Sequence, residues 1–102
     1  PIQKTIDLIN NLHEEGKDVS VWSSNDSLTL NEYLAQLNLL GKFKIIVSRD
    51  MVDLVKPNES GFLKYFAPLE KDPQSFLLVG DSSFDKDAAA NCGIHYLDVS
   101  EL

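Results

Sequence analysis

Gly80-Asp81-Ser82-Ser83-Phe84-Asp85 follows the apolar run Phe76-Leu77-Leu78-Val79, which sets two carboxylates at and just beyond the carboxyl end of a short buried strand. Oxygen ligands in that position suit a hard cation such as Mg²⁺. Two further strand ends carry groups of complementary chemistry. Ser23-Ser24 closes Val19-Ser20-Val21-Trp22, and Lys56-Pro57 lies in the segment after Ile45-Ile46-Val47. Hydroxyls and backbone N–H groups donate to phosphate oxygens, and a lysine supplies a point charge for the same group. A cation held by a carboxylate offsets the rest of the phosphate's charge. Each element alone is ordinary: serines at a loop start cap backbone groups, Lys-Pro is a solvated lysine before a turn, and Asp85 is a helix cap. Together they describe a phosphate-handling site. The nucleophile is what such a site still needs, and no Asp-x-Asp directly follows an apolar strand anywhere in these residues.

The elements that position these groups alternate along the chain. Residues 1–15 place Ile2, Ile6, Ile9 and Leu12 at helical spacing, with Pro1 tolerated at the start and Gly16 as the stop. A strand follows at 19–22. Thr29-Leu30-Asn31-Glu32 has the form of a capping box, opening a helix through Tyr33, Leu34, Leu37 and Leu40. Asn38 is suited to the left-handed conformation that ends a helix. Ile45-Ile46-Val47 is the second strand, and 48–55 reads as a loop with one short turn. Phe62, Tyr65, Phe66 and Leu69 predict a helix over 60–69 that Pro68 distorts or ends. The third strand is 76–79, a helix covers 85–92 with Gly93 as its cap, and the fourth strand is 94–99. Nearly continuous apolar strands alternating with helices predict a three-layer α/β fold, a Rossmann-like parallel sheet with helices on both faces. Ligands in such sheets bind outside the carboxyl ends of the strands.

A length of 102 residues fits a single domain, 1–102. A chain of this size buries roughly two-thirds of its unfolded surface, enough for one core. The net charge of −7 argues against nucleic acid or an anionic membrane as partner, since both demand basic patches. The single cysteine, Cys92, makes no internal disulfide and reads as small core filler, so the cytoplasm is the default compartment. No apolar run is long enough to span a bilayer and no signal-peptide pattern is present. His13 and His95 read as bystanders.

The order Ser23, Lys56-Pro57, Gly80-Asp81-Ser82-x-x-Asp85, closed by Gly93, resembles the haloacid dehalogenase-like hydrolase superfamily over nearly the whole chain. The resemblance runs from the helix that normally follows the inserted cap domain, near Ile2 to Gly16, to the last core strand at Leu97. It implies that Ser23, with Ser24 beside it, binds the phosphoryl oxygens, that Lys56 stabilises charge around nucleophile and phosphate, and that Asp81 ligates Mg²⁺. For Asp85 it implies assistance at the metal, orientation of the lysine, or the helix cap. Phe84 departs from the polar residue often found at its position. The implied substrate is a small phosphorylated molecule.

The family's first motif, an aspartate pair on the sheet's central strand, has no counterpart here. One aspartate of that pair attacks phosphorus and the other is general acid and base. Asp7 falls mid-helix, and Asp50 and Asp53 fall in a loop after the wrong strand. Without a nucleophile and base most of the rate enhancement is forfeited, so the chain alone is expected to be inactive. The absent strand takes with it ladder hydrogen bonds worth about 1 kcal/mol each and buried side chains worth about 1.5–3 kcal/mol apiece. That sum is comparable to the roughly 5–15 kcal/mol by which a domain is stable. Either 19–22 pairs directly with 76–79, or another polypeptide fills the gap: a missing amino-terminal segment or a second copy of the chain. The residues are thus expected to be the carboxyl-terminal part of a phosphatase. The alternative is a short pseudoenzyme, beginning at Pro1, that binds a phospho-ligand or a partner without turnover.

Overall fold

The computed structural model describes residues 2–102. Pro1, and the side chain of Ile2 expected in the first apolar stripe, lie outside the described residues. The chain forms two compact units that meet in sequence at Met51 and Val52.

In the first unit helix α1 spans Ile2–Glu14 and ends where Gly16 adopts a left-handed φ of 76°. The Gly16 N–H donates to the His13 carbonyl and the Lys17 N–H to that of Leu12, so both orphan carbonyls are satisfied in one turn. Strand β1, Val21–Trp22, pairs in parallel with β2, Ile46–Val47, and the Lys44 N–H to Val19 carbonyl bond extends that ladder backwards. Between them helix α2 spans Ser27–Gln36. Its cap is not the expected Thr29 but Asp26. The Asp26 carboxylate accepts the Thr29 N–H at 2.8 Å and its hydroxyl at 3.2 Å. Two oxygens on an ionised acceptor outcompete one hydroxyl, so the helix begins one turn earlier. At the far end Asn38 takes the left-handed φ of 59° expected of it, and Leu39 donates back to Leu34. That closure brings Leu34 and Leu39 into one cluster with Leu30, against Ile6, Ile9, Val21, Leu37, Phe43 and Ile46. Of the expected apolar positions Ile6, Ile9, Leu34 and Leu37 thus reach a core, whereas Tyr33 and Leu40 are exposed, Leu40 because α2 ends at Gln36.

In the second unit the expected helix over 60–69 is split. Helix α3 spans Ser60–Tyr65, and a 3₁₀ turn, Ala67–Leu69, follows with Pro68 inside it. Proline has no N–H to continue the α ladder. Phe62 and Phe66 of this segment are buried and pack with Phe76, at ring separations of 5.2–6.5 Å. Strand β3, Leu77–Gly80, pairs in parallel with β4, His95–Asp98, in the register Leu77 to His95 and Gly80 to Asp98. Helix α4, Ser83–Cys92, crosses between them and buries Ala88 and Ala89. Gly93, at φ 70°, ends α4 with the same pair of back-donations seen at Gly16.

Among the described residues the ladders run β1–β2 and β3–β4, two sheets of two strands. The β1–β3 ladder allowed by loss of a central strand is not among them. No helix of the described residues is long and apolar enough to cross a membrane.

Gly93 offers a clean test of the backbone argument. A Cβ there would touch nothing within 4 Å, so only the positive φ opposes a side chain. Gly93→Ala is expected to cost about 1–2 kcal/mol, and Gly93→Asn less, as Asn38 tolerates the same conformation. Urea denaturation of the two variants checks the order. Equal losses would show that the left-handed backbone is not the cause.

Candidate functional site

The carboxyl end of β3 is built around one buried ion pair. The Lys56 Nζ lies 2.6 Å from Asp85 Oδ1, with the two side chains 10% and 11% exposed. Lys56 comes from the segment before α3, where its bond to Pro57 is cis. The Asn91 side chain of α4 donates to the Pro57 carbonyl at 2.8 Å, tying that segment to the helix that carries Asp85. Asp85 sits in the first turn of α4, and Ser82 rather than Asp85 is the cap. The Ser82 hydroxyl accepts the Asp85 N–H at 3.3 Å. In return the Asp85 Oδ2 accepts the Ser82 hydroxyl at 3.0 Å and the Asp81 N–H at 3.2 Å. This is a reciprocal arrangement of the capping-box kind. Both Asp85 oxygens are therefore engaged, one with the lysine and one with the turn that carries Asp81.

Gly80 makes the close approach possible. A Cβ on Gly80 would fall 2.5 Å from Asp85 Oδ2 and 2.6 Å from its Cβ. Only a residue without a side chain lets α4 start so near the end of β3.

Burial acts to raise the Asp85 pKa, but the bond to Lys56 and its charge, followed by Ser82 and the Asp81 N–H, win. The net result lies below the ordinary carboxylate value of 3.8. Nearby on β4, Tyr96 is pushed upward by burial, then by Asp98, Asp85 and Asp81. The Asp98 carboxylate accepts the Ser100 N–H at 2.9 Å, which, foremost among several contributions, holds its pKa down. Asp81 itself is exposed. Its carboxylate would offer a hard cation such as Mg²⁺ one oxygen ligand. Among the described residues no group of three or more His, Cys, Asp or Glu side chains is placed to hold a metal ion.

The structure thus brings Lys56, Asp85 and the turn at Asp81 together in the second unit. Ser23 and Ser24 lie in the first unit, directly after β1. The Ser23 N–H makes the last rung of its ladder, to the Val47 carbonyl at 2.8 Å, and its hydroxyl oxygen accepts the Asn25 N–H at 3.0 Å. Ser24 is exposed. At the end of β2, Ser48 and Asp50 form a further cluster with Ser27. Asp50, dismissed as a nucleophile, accepts the Ser27 N–H and hydroxyl, each at 2.8 Å, and the Ser48 hydroxyl at 2.7 Å. Those bonds, Ser48 first and then Ser27, pull its pKa down to about 2. The signal was present as hydroxyl residues at the ends of two paired strands, but Asp50 and Ser27 are brought together only by the tertiary fold.

His13 and His95 are exposed, as bystanders would be. Cys92 is half-buried, and burial together with Glu59 pushes its thiol up to about 11, so it stays protonated and unreactive.

Parallel strands alternating with helices, with a lysine–carboxylate pair at the carboxyl end of β3, make a core of Rossmann-like α/β type. The chain belongs to the haloacid dehalogenase-like hydrolases, whose family model matches residues 1–99. The chain is 30% identical over 87 residues to the pyrophosphatase PpaX of Anoxybacillus flavithermus, covering 85% of this chain and 40% of that protein. It is 28% identical over 94 residues to PpaX of Halalkalibacterium halodurans, covering 92% and 44%. It therefore spans less than half the length of these curated relatives. A haloacid dehalogenase-like hydrolase from Bacteroides fragilis superposes with a TM-score of 0.79 at 25% identity, over 86% of this chain and 42% of that one. CbbY from Rhodobacter sphaeroides, crystallised with phosphate, gives 0.81 at 20% identity over 90% and 42%, a likeness of fold.

Proposed function

We propose that these residues are the carboxyl-terminal part of a Mg²⁺-dependent phosphatase core acting on a small phosphorylated molecule, and that the stretch alone does not turn substrate over. The observation that carries this reading is the Lys56–Asp85 pair, buried at the end of β3 beside the exposed Asp81. A lysine held in a fixed position by a carboxylate is preorganised for phosphate charge. In this proposal Lys56 stabilises that charge, Asp85 orients the lysine while bracing the metal turn, and Asp81 ligates Mg²⁺. Ser23 and Ser24 bind the phosphoryl oxygens. Mg²⁺, when bound, supplies positive charge opposite the transferring group. Residues 1–102 then belong to one core domain, at home in the cytoplasm. The net charge of −7 supports a small-molecule partner over nucleic acid. The names of the two curated relatives make pyrophosphate the first compound to try.

Inactivity of the stretch alone follows from its carboxylates. Asp85-Lys86-Asp87, the one Asp-x-Asp in the sequence, lies within α4 and not after an apolar strand, and Asp85 is already engaged with Lys56. Nothing in that pair replaces a nucleophile and a general base. The test supplies Mg²⁺ and pyrophosphate to the 102-residue chain, alone and with an upstream segment carrying Asp-x-Asp after an apolar strand. Expected are no turnover and weak Mg²⁺ binding by calorimetry for the chain alone, and turnover with the segment that is lost in Asp81→Asn. Turnover by the purified chain alone that vanishes in Asp81→Asn would overturn the inactivity. Phosphate binding with no turnover in either arm would favour a non-catalytic phospho-ligand or partner-binding protein.

A further inference from the structure

Helix α2 has two carboxylates at its start, each taking a different N–H of the first turn. Asp26 accepts the N–H and hydroxyl of Thr29. Asp50 reaches the same turn from the other side, from the 3₁₀ turn Arg49–Met51 that follows β2, and takes both donors of Ser27. It is itself fixed from behind by Ser48, whose hydroxyl donates at 2.7 Å and which is 1% exposed. The neighbouring Arg49 N–H adds a fourth tie, to the Asn25 carbonyl at 2.8 Å. The turn from Ser23 to Ser27 is thus bound at its start by the last rung of the β1–β2 ladder, at its middle by Arg49, and at its end by Asp50.

Resting on the reading of Ser23 and Ser24 as phosphate-binding groups, we propose that Asp50 is a positioning residue for that site, clamping the Ser23–Ser27 turn in the conformation that receives the phosphoryl group. Asp50 does not touch substrate in this scheme. Its carboxylate serves as an anionic acceptor for hydroxyl and N–H donors, which makes charge-assisted bonds stronger than neutral ones. An amide in its place offers one oxygen to three donors and presents N–H groups to the others, so the clamp opens while the cap at Asp26 remains. Freed from Asp50, the turn samples other conformations, and phosphate binding must then include the cost of ordering it.

The experiment titrates inorganic phosphate into the whole 102-residue chain and follows the Ser23, Ser24 and Asn25 amide signals by NMR, with hydrogen exchange of the same amides and of Leu30 and Leu34 in α2. In Asp50→Asn, phosphate affinity is expected to fall about tenfold, and exchange at 23–25 to accelerate while that of Leu30 and Leu34 holds. Ser27→Ala, which removes the hydroxyl but keeps the N–H, is expected to give a loss in the same direction of roughly two- to threefold. It keeps the idea testable if Asp50→Asn fails to fold. Wild-type affinity and exchange in the folded variants would overturn the clamp while leaving the phosphate reading intact. Exchange accelerating equally at Leu30 and Leu34 would also overturn it, since Asp50 would then serve the fold alone. No phosphate-induced shift at Ser23 or Ser24 in the wild type would overturn the phosphate reading itself, and the clamp's role with it.

Discussion

Lys56→Met is expected to destabilise the chain by about 3–5 kcal/mol, because it leaves the Asp85 carboxylate buried without its cation. The remaining acceptor bonds, from Ser82 and the Asp81 N–H, place the loss toward the lower end of that range. Asp85→Asn strands the ammonium instead and is expected to cost a similar amount. The double variant Lys56→Met/Asp85→Leu removes both charges and should recover much of the loss, since a buried ion pair is seldom better than apolar groups of similar volume. The pH dependence gives the sharper reading. The Asp85 pKa in the folded chain lies below 3.8, so the pair's contribution is complete above that value and is lost as pH falls through the folded pKa. Lys56→Met takes away the bond and charge that hold that pKa down, which leaves burial to raise it. The acid limb of Lys56→Met should therefore be shallower than that of the wild type, and the gap between the two should narrow as pH falls. Urea denaturation at pH 7 and at intervals from pH 6 to pH 2 measures both. Coincident acid limbs would mean that the pair is not closed in solution.

How much of this was readable in the residues depends on how local each determinant is. Gly16, Asn38 and Gly93 end their helices where expected, because the left-handed conformation is a property of one residue and its neighbours. The strands fall where the apolar runs fall, although β1 and β2 keep regular ladders only over their last two residues. Where two local signals competed, the wrong one was easy to choose. Thr29-x-x-Glu32 has the form of a capping box, yet Asp26 three positions earlier is the stronger acceptor and takes Thr29 as its donor. The same competition moved the start of α4 from Asp85 to Ser83, behind the Ser82 cap. Long-range pairings were less legible. The resemblance implies three roles for Asp85, and its bond to Lys56 is seen only in the fold, where the segment at Pro57 is tied to Asn91 of α4. Asp50, at the end of the second strand, has the wrong context for the nucleophile. Its role as an acceptor for Ser27 emerges only once β1 and β2 are paired and their ends brought side by side.

The second large effect belongs to Gly80. In Gly80→Ala the new methyl would sit 2.5 Å from Asp85 Oδ2, 2.7 Å from its Cγ and 2.6 Å from its Cβ. Rotation of the Asp85 side chain clears the first two contacts, but it opens the bond to Lys56 and releases the Asp81 N–H. It leaves the third contact untouched, because Cβ is fixed by the backbone of α4. Either β3 and α4 separate or the ion pair breaks. Overpacking of this kind costs typically 1–3 kcal/mol, and with the pair disturbed as well the expected loss is about 3–5 kcal/mol. In a domain of about 100 residues that lowers the melting temperature by more than roughly 12 °C. A mutant cycle separates the two causes. In the Lys56→Met/Asp85→Ala background the ion pair is already gone, so Gly80→Ala should still cost about 1–3 kcal/mol through the opposed Cβ atoms. In Lys56→Met/Asp85→Gly there is no Cβ to meet, and the same substitution should cost close to nothing, although the background itself is weaker by about 1 kcal/mol for glycine within a helix. Thermal melts of the cycle read both values. A Gly80→Ala penalty that survives in the Asp85→Gly background would show that the glycine is required by the backbone of β3 rather than by its contact with α4.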